Sequence, residues 1–187
     1  NTAIGASALL VLASGANNTA VGHNALVAAQ DTSSNTGIGA SAGGAITTGN
    51  YNTMIGSLSG DGITTASNNT GVGYRALSAP SNSGANNTAV GTDALLANTT
   101  GAQNTAVGAL SLDANTTGVG NVAVGSGALS ACTTGGSAIG FGYNSGSVLT
   151  TGGNSIFIGH DANPSGATVS REIVIGLDSD GKGTNTG

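Results

Sequence analysis

The chain is written in one short phrase, repeated. A branched residue, a tiny residue and a second branched residue are closed by glycine in TAIG (2–5), TAVG (19–22), TGIG (36–39) and TAVG again at 88–91 and 105–108. Alternation over three positions is the period-2 signature of a strand with two unlike faces. The closing glycines are Gly5, Gly22, Gly39, Gly56, Gly73, Gly91, Gly108, Gly125, Gly140, Gly159 and Gly176, at intervals of 17, 17, 17, 17, 18, 17, 17, 15, 19 and 17. Eleven copies fill residues 1–187, so the pattern predicts a single repeat domain with no room for a second one.

The position before each glycine is always branched and apolar: Ile4, Val21, Ile38, Ile55, Val72, Val90, Val107, Val124, Ile139, Ile158 and Ile175. Stacked copies would bring these residues into one column, and the expectation is that this column is the buried core ladder. A second segment carries Leu four places after the glycine, at Leu9, Leu26, Leu77, Leu95, Leu112 and Leu129. Turn words such as TTGNYN (47–52) and TTGAQN (99–104) end the copy. Seventeen residues are too few for a helix pair and show no 3.6-residue stripe, whereas two short strands joined by two corners fit. The predicted fold is all-β: a parallel β-roll or β-solenoid of eleven 17-residue coils, rising about 4.8 Å per coil to a rod about 50 Å long.

Two further columns accompany it. Asn1, Asn18, Asn35, Asn52, Asn69, Asn87, Asn104 and Asn121 stand four places before the glycine, where stacking would make a polar ladder of amides. Thr stands three places before it in the first seven copies, followed by Val122, Ser137, Ile156 and Ile173. Thr shares the side of the Ile/Val column and is therefore expected to point inward, which counts against a water-ordering, ice-binding face. The Ala/Gly column between them is expected on the opposite side, where tiny side chains would let another backbone approach. With so few large apolar side chains per coil, a lone roll buries little, and association of identical chains would relieve the deficit.

Composition sharpens this picture. Gly supplies 34 of 187 residues and only 6% are charged, against about 25% in ordinary soluble domains. A positive mean hydropathy of +0.15 and the fixed period argue against disorder. Pro occurs twice and Gly does not recur every third residue, which excludes collagen. Three basic and eight acidic residues offer no patch for phosphates, so nucleic acid is not an expected partner. No run of about 18 apolar residues is present for a membrane span, and none of an export leader is visible.

Chemistry is sparse. Cys132 is alone and is expected as a small buried hydrophobe. His160 beside Asp161 could begin a catalytic arrangement, but neighbours on a strand face opposite ways. Asp93 and Asp113 occupy different columns, two and five places after their glycines, without a cleft for glycoside cleavage. DSDG (178–181) resembles a calcium loop but lacks the distal Glu. The reading is of no catalytic residue, no cofactor and no metal. Candidate receptor contacts are the conspicuous side chains of variable corners: Tyr51, Tyr74, Arg75, Phe141 and Tyr143.

The words NNTAVG (17–22 and 86–91), NSIFIG (154–159) and REIVIG (171–176) resemble the head repeats of trimeric autotransporter adhesins. The NTAVG…AL phrase is also similar to repeats of phage and viral tail fibres that end in an intramolecular chaperone, and REIVIGLDSDGKGTNT (171–186) resembles the passage leading to it. The resemblance covers all eleven copies. It implies a left-handed β-roll, a homotrimer, and an extracellular or virion-surface location. The expected function is a structural, non-catalytic rod of a host-attachment fibre, bound to a cell-surface receptor or glycan. The adhesin head, a monomeric ice- or glycan-binding solenoid and, third, a polysaccharide-degrading spike are the alternatives. This stretch is expected to be an excerpt of a longer fibrous protein.

Overall fold

A computed structural model describes residues 1–177. The strands form a single parallel sheet in sequential order: β1 (Thr2–Ile4), β2 (Thr19–Val21), β3 (Thr36–Ile38), β4 (Thr53–Ile55), β5 (Thr70–Val72), β6 (Thr88–Val90), β7 (Thr105–Val107), β8 (Val122–Val124), β9 (Ile139–Phe141), β10 (Ile156–Ile158) and β11 (Ile173–Ile175). Each strand pairs with the strand one coil on, Thr on Thr and Ile on Val, with no crossover. The chain is therefore an all-β solenoid of about ten turns.

Register corrects the phrasing of the ninth copy. Val122 pairs with Ile139, Ala123 with Gly140 and Val124 with Phe141, so the coil closes at Gly142, whose φ of +134° matches that of the other closing glycines. Ile139 stands in the Thr column, and Phe141 takes the place assigned to Ile139. The intervals of 15 and 19 become two of 17. Continuous pairing of Ile139, Gly140 and Phe141 with the strands on both sides overrides the local likeness of SAIG to TAIG, and the shift of two residues leaves Ile139 on the same face.

Each coil contains one regular strand, where the sequence suggested two. The segment after the glycine is a chain of left-handed turns: Asn24 and Leu26 have φ of 56° and 49°, and Asp93 and Leu95 have 57° and 51°. A Leu in this region costs conformational energy. Here the cost is offset because the turn aims Leu26, Leu77, Leu95, Leu112 and Leu129 into the interior, where all are fully buried. Their N–H groups still bond from coil to coil, as Leu26 to the Ala42 carbonyl (3.0 Å) and Leu95 to that of Ser111 (3.0 Å).

The inside and outside of the strands are the reverse of the sequence reading. From β2 onward the middle residue of each strand is the buried one, and Ala20, Met54, Ala89, Ala106, Ala123 and Phe157 are wholly inaccessible; in β1, at the end of the stack, Ala3 is exposed. The expected core ladder, Ile4, Val21, Ile38, Ile55, Val72, Val90, Val107, Val124, Ile158 and Ile175, points outward, with Ile55 still 37% and Ile158 38% exposed. Space explains this. The Leu side chains of the opposite wall already fill the interior, so that a Cβ on Gly37 would lie 2.9 Å from Leu26 Cγ, and one on Gly140 2.9 Å from Leu129 Cγ. Only Ala or Gly fits facing them, and β-branched side chains are turned out.

Two exceptions show that interior volume is conserved. Where the middle position is large, at Met54 and Phe157, the wall position beside it is glycine. A Cβ on Gly60 would come within 2.8 Å of Met54 Cγ, and one on Gly146 within 2.7 Å of Phe157 Cδ2. Gly60 has φ of +60°, close to the +58° of Leu77 in the same column, so Leu is conformationally admissible there. Gly60→Leu alone is expected to overpack and destabilise by about 1–3 kcal/mol, and Met54→Ala alone to leave a cavity costing about 2–5 kcal/mol. Together they move side-chain volume from the strand to the wall, beside the buried Ile63, and should recover part of that loss in chemical denaturation. A double variant no more stable than the worse single would refute the volume rule.

Candidate functional site

The surface that could do something is the outward face of the sheet. Thr and Ile/Val alternate along each strand about 7 Å apart and repeat up the rod about every 4.8 Å. β1 to β7 present a Thr and an aliphatic residue; β8 to β11 present Val122/Val124, Ile139/Phe141, Ile156/Ile158 and Ile173/Ile175, with no hydroxyl. No charged residue stands in either column. The face is one flat stripe along the whole sheet, on the order of 500 Å² at these spacings, at the upper end of what a solitary protein leaves open.

The face is held flat by a buried polar spine on the entry side of the strands. The backbone N–H of each Asn donates to Oδ1 of the Asn one coil before, from Asn18 on Asn1 through Asn35, Asn52, Asn69, Asn87 and Asn104 to Asn121, at 2.8 to 3.0 Å. The same Asn turns Nδ2 toward the corner of its own coil, where Asn18 binds the Thr32 carbonyl, Asn52 that of Ala66 and Asn104 that of Gly118, at 2.7 to 2.9 Å. Amide-to-amide bonds, the contact expected of an asparagine ladder, are secondary and longer, such as Asn35 Nδ2 to Asn18 Oδ1 at 3.4 Å. The column continues as Ala138, Ser155 and Glu172, and the N–H of Ala138 still binds Asn121 Oδ1. Asn52→Ala would orphan the buried Asn69 N–H and the Ala66 carbonyl at once. At about 1–3 kcal/mol for each unsatisfied group, a loss of several kcal/mol is expected in urea denaturation, against about a few tenths for Thr65→Ala, at an exposed residue outside the left-handed region.

The candidate receptor contacts divide. Tyr51, Tyr74 and Tyr143 are exposed at corners. Arg75 lies over the Tyr74 ring (5.3 Å to its centroid) and forms a two-pronged ion pair with Asp93, at 2.8 and 3.0 Å. Phe141 is not a corner residue: it stands 55% exposed in the aliphatic column of the strand face. His160 was weighed only as a catalytic group, but its ring stacks on Tyr143 with centroids 5.1 Å apart and planes inclined by 23°. The period carries this signal once copy nine closes at Gly142, since both residues then directly follow a closing glycine one coil apart.

The titratable groups do not converge. His160 Nδ1 lies 3.0 Å from Asp161 Oδ2, with no serine hydroxyl bonded to either among the described residues. Asp93 is paired with Arg75. Cys132 is fully buried beside the Gly135 carbonyl, and burial pushes its thiol pKa up. No group of three or more His, Cys, Asp or Glu side chains gathers among the described residues; the DSDG loop lies outside them. No helix there is long and apolar enough to cross a membrane. No family model matches this chain, and neither a curated protein nor a solved structure matches it.

Asp113 gives a pH prediction. Partial burial raises its pKa in the fold, the opposing backbone hydrogen bonds being the smaller effect, and its Oδ1 is buried without a partner. Between the unfolded and the raised folded pKa the folded state holds a proton that the unfolded chain has released, and ionisation of Asp113 costs stability as pH rises above the ordinary carboxylate range. Asp113→Asn should therefore stabilise the rod at pH 7 and lose that advantage near pH 3. An equal effect of the substitution at both values in thermal unfolding would contradict this assignment.

Proposed function

We propose that the chain is a non-catalytic rod of a host-attachment fibre, in which three copies pack side by side through their outward strand faces. The observation that carries the reading is the uncharged Thr/aliphatic stripe, which runs the length of the sheet and becomes wholly apolar from β8 onward. Water gains nothing from four successive rungs of paired Val, Ile and Phe, while a second copy of the same face buries them in register. A stacked scaffold supplies stiffness, and repetition about an axis lets weak surface contacts add through avidity. The attachment fibre is favoured over an adhesin head by the NTAVG…AL wording and the 171–186 passage; the virion or cell surface is the corresponding location.

One observation favours a second reading. Because the Thr column faces outward, the objection to a water-ordering face disappears for β1 to β7, where seven hydroxyls stand in register. A monomeric ice-binding solenoid would use that stretch. The hydroxyl-free rungs of β8 to β11 argue for burial.

Sedimentation equilibrium separates the two. The fibre reading expects three times the 17.5 kDa chain mass, and expects Val90→Lys together with Val124→Lys to give folded monomers, because both side chains lie outside the coil. A monomeric wild-type chain that inhibits ice recrystallisation, with mass unchanged by the lysines, would establish the second reading and remove the first.

A further inference from the structure

We propose that Tyr143 forms a saccharide shelf, a stacking site for one pyranose ring on the flank of the rod. The residues directly after the closing glycines make one column, and its upper part reads Ala109, Ser126, Tyr143 and His160. His160 covers one face of the Tyr143 ring from the coil above, at a separation close to the coil rise. The imidazole is itself held through Nδ1 at 3.0 Å from Asp161 Oδ2. The coils are tied in register here, as the Asn144 N–H binds the Ser126 carbonyl and the Asp161 N–H binds that of Tyr143, both at 2.9 Å.

The other face of the tyrosine looks toward a coil where the column holds only Ser126, with Ala109 beyond it. Gly127, next to it, is buried with the Asn144 amide lying over it. The result is a half-exposed ring, backed on one side and open on the other above small side chains. Around the opening stand three neutral polar groups: the Tyr143 and Ser126 hydroxyls and the Asn144 amide. Ser126 and Asn144 otherwise bond only through their backbones among the described residues.

An aromatic face with uncharged donors and acceptors at its rim suits a sugar ring, which offers an apolar C–H face and equatorial hydroxyls together. No Arg or Lys stands in the column to select a phosphate or carboxylate. Tyr74 is the internal contrast: Arg75 already lies over its ring and is pinned by Asp93. The shelf does not depend on the number of copies in the rod, so its failure and a failure of the fibre reading show in different measurements.

Saturation-transfer NMR on the full chain tests it, with methyl β-galactoside, methyl β-glucoside and methyl β-N-acetylglucosaminide as probes. At least one glycoside should receive saturation through its ring C–H protons. Tyr143→Ala and Ser126→Phe, the second filling the shelf while leaving the tyrosine in place, should each weaken binding by about tenfold or more, as loss of a central aromatic contact does. Tyr143→Phe should keep most of the binding, and Tyr74→Ala should leave it unchanged. Absence of binding to all three probes, or binding that survives both Tyr143→Ala and Ser126→Phe in variants with unaltered circular dichroism, would overturn the proposal.

Discussion

Most of this rod depends on one side chain per coil answering two backbone groups. The asparagine ahead of each strand from β1 to β8 accepts from the N–H of the next coil and donates to the carbonyl at its own far corner, so it fixes the rise between coils and the closure of each. Polar groups so deeply placed would be heavily penalised if left unmatched, and a coil shifted by one residue would leave them so. The column therefore enforces register where the strands, at three residues each, are too short to do it alone.

That enforcement lets the hydrophobic interior be thin. Where the wall carries a leucine in a left-handed turn, it meets an Ala or Gly of the neighbouring strand, as Leu26 meets Gly37 and Leu129 meets Gly140, and Met54 against Gly60 and Phe157 against Gly146 show the same volume redistributed. Backbone follows packing here: the unfavourable φ at Leu26 or Leu95 persists because no other conformation puts the side chain in the gap. The closing glycines serve the same close stacking, since a Cβ on Gly22 would stand 2.5 Å from the carbonyl oxygen of Gly39. Small residues face inward because the stack leaves them no room to be larger.

Much of this was legible before any coordinates. Period, parallel stacking, the asparagine column and the buried Cys132 follow from the repeated wording. Direction was not. A strand of three residues shows alternation without saying which side is in, and branched aliphatics invite burial when the competing occupant, a leucine from a turn, has no strand-like or helical period. The ninth copy misled for a related reason, as SAIG copies the local phrase while IGF occupies the strand. Phe141 and His160 take their places only in this register.

In a stack where every coil ends as the next begins, one more property follows from the uniform 17-residue step. Loss or duplication of a stretch of that size joins a coil to an equivalent neighbour wherever it keeps Met54 with Gly60 and Phe157 with Gly146. Reach then changes in increments of about 4.8 Å without a new fold having to be found. Those two matched pairs, and the 18-residue step between Gly73 and Gly91 with Pro80 inside it, are the fixed points along the filament.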